Sequence, residues 1–123
     1  MQKPVRICMI GAGRVGKNHS RAITRHIAGA RIVAVVDQMA QVREETAAEF
    51  GIDKQYDSFE IALDKAEFEA VVITTPTPTH LPLAALAAEN KKHVFLEKPM
   101  ALNLQECDAI SEVIDRNGVI LQL

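Results

Sequence analysis

The chain has 123 residues, 48% of them hydrophobic and 24% charged, with a net charge of −2. Those values exclude a disordered or collagen-like chain, the short apolar runs exclude a membrane span, and two cysteines exclude a disulfide-built scaffold. A length of this order fits one globular domain. The charge is uneven: residues 1–36 carry seven basic side chains (Lys3, Arg6, Arg14, Lys17, Arg21, Arg25, Arg31) and no Asp or Glu, while the remainder holds all sixteen acidic ones. Basic residues that stand singly among few aromatics argue against a nucleic-acid arm, and a strand-like apolar start argues against a transit peptide. The expectation is a positive end of the domain that faces phosphate. Cys8 and Cys107 lack any C-x-x-C or histidine at ligand spacing, which predicts no metal site and buried thiols in a reducing cytoplasm, the default location.

Short β-rich runs alternate with helical patterns along the whole chain. Val5–Ile10 is apolar at nearly every position, as a strand buried on both faces requires. Arg14–His26 follows as a helix with Val15, Ala22, Ile23 and Ile27 on one stripe. Arg31–Val36 is a second strand, Gln41–Phe50 a helix stopped at Gly51, and Lys54–Tyr56 a weak third strand. Asp57 and Glu60 stand at capping-box spacing for a helix to about Ala66. Ala70–Thr74 is the fourth strand, broken at Pro76 and Pro78, after which Thr79 is placed to cap a helix running to Asn90. His93–Leu96 is the fifth strand. Asn103 and Glu106 repeat the capping spacing before a helix with the stripe Leu104, Cys107, Ile110, Val113 and Ile114, stopped at Asn117-Gly118. Val119–Leu123 begins a sixth strand. This alternation predicts an α/β fold: a three-layer, doubly wound parallel sheet of six strands in the order 3-2-1-4-5-6, the Rossmann arrangement, in one domain spanning 1–123.

Gly11-Ala12-Gly13-Arg14-Val15-Gly16 is a G-x-G-x-x-G that directly follows a strand and opens a helix, the context that makes the pattern specific. Gly11 permits the tight turn, Gly13 a close backbone approach to a pyrophosphate, and Gly16 close packing of helix on strand. The free N–H groups at the helix start, around Arg14 and Val15, then suit phosphate. The alternative is a glycine-rich turn without a ligand. Asp37 ends the second strand 21 residues after Gly16, where an acid accepts from the adenosine ribose hydroxyls and repels a 2′-phosphate. With no Arg or Lys beside it and Arg43 a helical turn away, NAD is favoured over NADP; the alternative for Asp37 is a plain helix cap.

Thr74-Thr75-Pro76-Thr77-Pro78-Thr79-His80 and Glu97-Lys98-Pro99 follow the fourth and fifth strands, at the carboxyl ends where open α/β sheets bind ligands. Threonine hydroxyls and His80 can hydrogen-bond ribose or carboxamide groups. Lys98 can place a cation beside a reacting carbon, and Pro99 is compatible with a cis bond. Read from the residues alone, loop punctuation and a surface lysine explain these segments equally well.

Gly11-x-Gly13-x-x-Gly16-x-x-His19, Asp37, Thr75-Pro76 with His80, and His93-Val94-Phe95-Leu96-Glu97-Lys98-Pro99 together resemble the nucleotide-binding half of the glucose–fructose oxidoreductase/inositol dehydrogenase (Gfo/Idh/MocA) family, over essentially the whole chain. The resemblance implies an NAD(P)-dependent oxidoreductase moving hydride between nicotinamide and a sugar, inositol or related polyol. It implies that Lys98 is the catalytic-site lysine, that Glu97 and Pro99 shape its loop, and that the Thr75–His80 loop contacts the nicotinamide side. Thr77 departs from the family, which often carries Asn there, and Asn90-Lys91-Lys92 replaces a common helix-ending glycine. The family continues into a second α/β domain that supplies the substrate pocket, an Asp/His pair and most of a homo-oligomer interface. The isolated chain is therefore expected to bind cofactor without efficient turnover. His26 and His93 sit at element ends, and for His19 a packing or cofactor-side role is expected rather than proton transfer. A non-catalytic nucleotide-sensing module on the same fold is the alternative. No nucleic-acid or membrane partner is expected.

Overall fold

The computed structural model describes residues 3–123. Six strands, β1 (Val5–Ile10), β2 (Ala30–Val36), β3 (Lys54–Tyr56), β4 (Ala70–Ile73), β5 (His93–Leu96) and β6 (Leu121–Gln122), pair in parallel in the order β3-β2-β1-β4-β5-β6. Five helices join them: α1 (Arg14–His26), α2 (Ala40–Phe50), α3 (Phe59–Lys65), α4 (His80–Glu89, entered through a 3-10 turn at Thr77–Thr79) and α5 (Leu104–Asn117). The predicted strand order is the observed one.

The layers follow from the two-residue period of the strands. In β1, Cys8 and Ile10 turn to one face and pack with Phe59, Ala62, Ala84, Ala87, Ala88, Ile110, Val113 and Ile114 of α3, α4 and α5. Ile7 and Met9 turn to the other and pack with Ile23 of α1 and Ala47 of α2. Both faces of the central strands are dry, which is why their sequences read as unbroken apolar runs. Burial without a partner charge pushes the Cys8 thiol up to about 12. Cys107 is only half-buried, so the expectation of two buried thiols holds for Cys8 alone.

Several local expectations are corrected. On α1 the buried residues are Gly16, Ser20 and Ile23, while Val15 and Ile27 are exposed. The helix lies so close to the sheet that small side chains form its seam, and Val15 faces outward beside the glycine turn. On α5 the buried stripe starts at Ile110, and Leu104 is 81% exposed. Ser58, not Asp57, caps α3, its hydroxyl accepting from the Ile61 N–H. Thr79 does not cap α4: its hydroxyl donates to the Pro76 carbonyl at 2.6 Å, closing the 3-10 turn instead. Asn103 does cap α5, accepting from the Glu106 N–H at 2.9 Å.

The basic amino-terminal third does not gather as one phosphate-facing surface. Arg6 pairs with Glu67 and Glu69, Lys17 with Glu45, Arg21 with Glu49, and Arg31 with Asp53. A strand carries its first and last residues to opposite ends of the sheet, so Arg6 and Arg31, near the starts of β1 and β2, lie far from the glycine turn. Side-chain hydrogen bonding to Arg6 holds the Glu69 carboxyl below its ordinary value, and the same pairing raises Arg6. Among the basic side chains of the described residues, Arg14 is the one that stands exposed at the helix start itself.

Candidate functional site

The carboxyl ends of β2, β1, β4 and β5 are neighbours in the sheet, and they bring Asp37, Gly11–Gly16, Thr74–Thr75 and Glu97–Lys98 to one edge. The crossover between β1 and β4 is the topological switch, where an open α/β sheet leaves a crevice.

The three glycines have separate physical causes. Gly11 has φ +100°, and a Cβ there would lie 2.6 Å from Thr74 Oγ1. A Cβ on Gly16 would overlap the Gly11 carbonyl oxygen, so helix and turn meet only because Gly16 has no side chain. Gly13 is exposed, and a Cβ on it would meet nothing within 4 Å. It is the N-cap of α1, which has no capping side chain and no acid in its first turn. The first N–H groups of α1 thus keep their donors and their end of the helix dipole for an anion.

Asp37 is half-buried and bridges two loops. One carboxylate oxygen accepts from the Ala12 N–H at 2.9 Å and the other from the Met39 N–H at 2.9 Å. Each oxygen retains lone-pair capacity for a ribose hydroxyl. The Arg43 guanidinium donates to the Asp37 backbone carbonyl at 3.1 Å rather than standing clear of it.

The segment after β4 splits into inward and outward residues. Thr74 turns its hydroxyl inward to the Ile10 and Gly11 carbonyls at 3.2 and 3.1 Å, supporting the glycine turn from below. Its hydroxyl donor is thus spent on the turn itself. Thr75 shares a 2.6 Å hydroxyl contact with Thr79, and Pro76 is exposed at the edge. His80 is 1% exposed, and both ring nitrogens face main-chain carbonyls: Nε2 faces Thr75 at 2.9 Å, Nδ1 faces Pro99 at 3.0 Å and Met100 at 3.2 Å. His80 has no ring nitrogen left for a cofactor. The ring sits between the Thr75 and Pro99–Met100 main chains.

Lys98 is exposed, with a cis peptide to Pro99, and has no ion-pair partner among the described residues. Its neighbour Glu97 is half-buried and accepts from His19 Nε2 at 2.9 Å, while the His19 ring stands edge-on to Phe95 with centroids 5.3 Å apart.

Residues 5–123 match the model of the oxidoreductase family with an NAD-binding Rossmann fold, GFO_IDH_MocA. The chain belongs to this family. Among its relatives, scyllo-inositol 2-dehydrogenase (NAD(+)) of Bacillus subtilis is 40% identical over all of this chain and 36% of its own length. The solved myo-inositol 2-dehydrogenase of Lactobacillus plantarum superposes with a TM-score of 0.92 at 31% identity, over 98% of this chain and 36% of that one. The scyllo-inositol dehydrogenase of Lactobacillus casei, solved with NAD(H) and scyllo-inositol, gives 0.93 at 29% identity, over 98% and 36%. The chain thus spans about a third of the length of the relatives it matches.

Within this Gfo/Idh/MocA domain, Gly11, Gly13, Gly16, Asp37, Thr75, Pro76, Glu97 and Lys98 are brought to one edge as the sequence motifs suggest. The residue whose part the sequence left open is His19. Its place three positions after Gly16 puts it in the first turns of α1, from where its ring reaches Phe95 of β5, but its pairing with Glu97 is a contact between residues 78 apart and has no local signature.

Proposed function

We propose that this chain is the cofactor-binding domain of an NAD-dependent dehydrogenase acting on a polyol, inositol or sugar-type hydroxyl. The observation that carries the reading is the open backbone of Gly13 at the uncapped start of α1, flanked by the Asp37 carboxylate on the neighbouring strand. A pyrophosphate fits that space because no side chain fills it and unpaired N–H groups line it. Arg14 adds a cation at the same helix end. Asp37 accepts from the ribose hydroxyls, and its charge disfavours a 2′-phosphate, which makes NAD the preferred cofactor.

Bound NAD supplies a hydride acceptor. The chain's own residues orient it: Thr75 and Pro76 form the wall beyond β4, and Glu97 and Lys98 the wall beyond β5. Lys98 is the group suited to the reacting oxygen. Its side chain is exposed, so it can donate a hydrogen bond to a substrate oxygen and stabilise negative charge that develops there. The homologous dehydrogenases that support this substrate class are about three times the length of this chain. The 123 residues alone are expected to bind NAD and to turn over polyols poorly.

Calorimetric titration of the chain with NAD and NADP tests the reading. NAD is expected to bind more tightly, and Asp37→Asn to narrow the difference. Equal affinities for the two cofactors in the unmodified chain, or no binding of either, would refute it.

A further inference from the structure

Lys98 stands between two anchored neighbours, and the anchors reach it from opposite faces of the sheet. From the face covered by α1, His19 Nε2 donates to the Glu97 carboxylate at 2.9 Å. From the face covered by α4, the His80 ring reaches the Pro99 and Met100 carbonyls through Nδ1 and the Thr75 carbonyl through Nε2. We propose that His19 and His80 are the positioning residues of the Lys98 loop, fixing its main chain from both sides so that the lysine ammonium projects at a set point beside the dinucleotide crevice. The proposal rests on the assignment of Lys98 above and adds residues that touch neither substrate nor cofactor.

Three features set these contacts apart from ordinary packing. Both histidines act on the residues immediately flanking Lys98, while Lys98 itself has no ion-pair partner among the described residues. His80 is fully buried yet spends its polar atoms on two different loops, so it sets the separation of the Thr75–Pro76 and Lys98–Pro99 walls. A neutral imidazole donates from only one nitrogen, so the tautomer sets which of the two loops the ring hydrogen-bonds while it packs against the other. His19 is steadied in turn by its edge-on contact with Phe95, the second residue before Glu97. A helix on each face thereby reports its position to one lysine.

The test is backbone ¹⁵N relaxation of the 123-residue chain, read at the Lys98 amide, with His19→Ala, His19→Gln and His80→Gln. In the unmodified chain the Lys98 order parameter is expected to be about 0.85, that of rigid backbone, and to fall below about 0.6 in His19→Ala with strand amides unchanged. His19→Gln retains a donor for Glu97 and is expected to restore the order. His80→Gln is expected to loosen Lys98 and Met100 together; should that variant fail to fold, the half-exposed His19 arm decides alone. A Lys98 amide that stays at about 0.85 in a folded His19→Ala chain overturns the proposal. NAD titration of the same samples separates the two readings: failure of the unmodified chain to bind NAD would sink the cofactor assignment and leave the relaxation result to stand by itself.

Discussion

The Asp37 carboxylate accepts a 2.9 Å hydrogen bond from the buried backbone N–H of Ala12, tying the end of β2 to the glycine turn after β1. The acid that serves a ribose is thus also a structural tie, and the two roles respond differently to substitution. Asp37→Ala is expected to cost about 1–3 kcal/mol, because it leaves a buried donor without a partner. Asp37→Asn keeps a side-chain acceptor and should cost less. Urea melts of both variants check this; equal losses would show that the Ala12 bond contributes nothing.

The glycines separate in the same way. Gly16→Ala forces a methyl into the Gly11 carbonyl and is expected to lower stability by about 1–3 kcal/mol or more. Gly13→Ala meets open space, so its unfolding free energy should stay within about 0.5 kcal/mol of the parent. Its NAD affinity should nonetheless fall by about tenfold or more, equivalent to ~1.4 kcal/mol. Thermal melts beside NAD titrations distinguish the two effects, and a Gly13→Ala chain with full affinity would remove the pyrophosphate from that spot.

Acid should erase the Arg6–Glu69 contribution. Glu69 is held below the ordinary value of about 4.3 by its hydrogen bond to Arg6, so the native state binds its proton less readily than the unfolded chain. The stabilisation is present above that ordinary value and is lost as pH falls through the lowered one. Glu69→Gln should therefore be less stable than the parent at neutral pH, with the gap closing as pH falls through the lowered Glu69 value. A gap independent of pH would contradict the ion-pair origin.

The two thiols should differ sharply. Cys8 is fully buried in β1 and pushed up to about 12, so it should resist alkylation until the chain unfolds, while the half-buried Cys107 reacts in the native state. Above the ordinary thiol range of about 8.5 the unfolded chain releases a proton that the native state keeps. Stability should therefore fall with rising pH toward 12 through this group, and Cys8→Ala should remove that slope. Peptide mapping after alkylation reads the first effect, and denaturant melts in alkaline buffers the second.

Local chemistry made much of this legible in advance. The bounds of β1, α1, β3, β5 and α5 follow from apolar runs, capping residues and glycine stops, all interactions within a few residues. Alternation of strand and helix constrains the crossover hand, and with it the strand order. The glycine turn and Asp37 were readable because a dinucleotide cradle needs those residue types at fixed spacing beside a strand.

Sequence alone determined the fold class, the cradle and the segments that reach its edge. Tertiary structure decided which side chains in those segments face the crevice and which hold it together. Thr74 and His80 turn inward to carbonyls that folding brings beside them, those of Gly11 and Pro99, and burial makes an unmet carbonyl costly. The basic start dispersed because strands and helices deliver its charges to different ends and different acidic partners. His19 met Glu97 across 78 residues, a relation no local pattern encodes, since only the packed sheet brings the first turns of α1 within reach of the loop after β5. Spacing along the chain fixes what can be offered at the edge; packing in three dimensions selects what is.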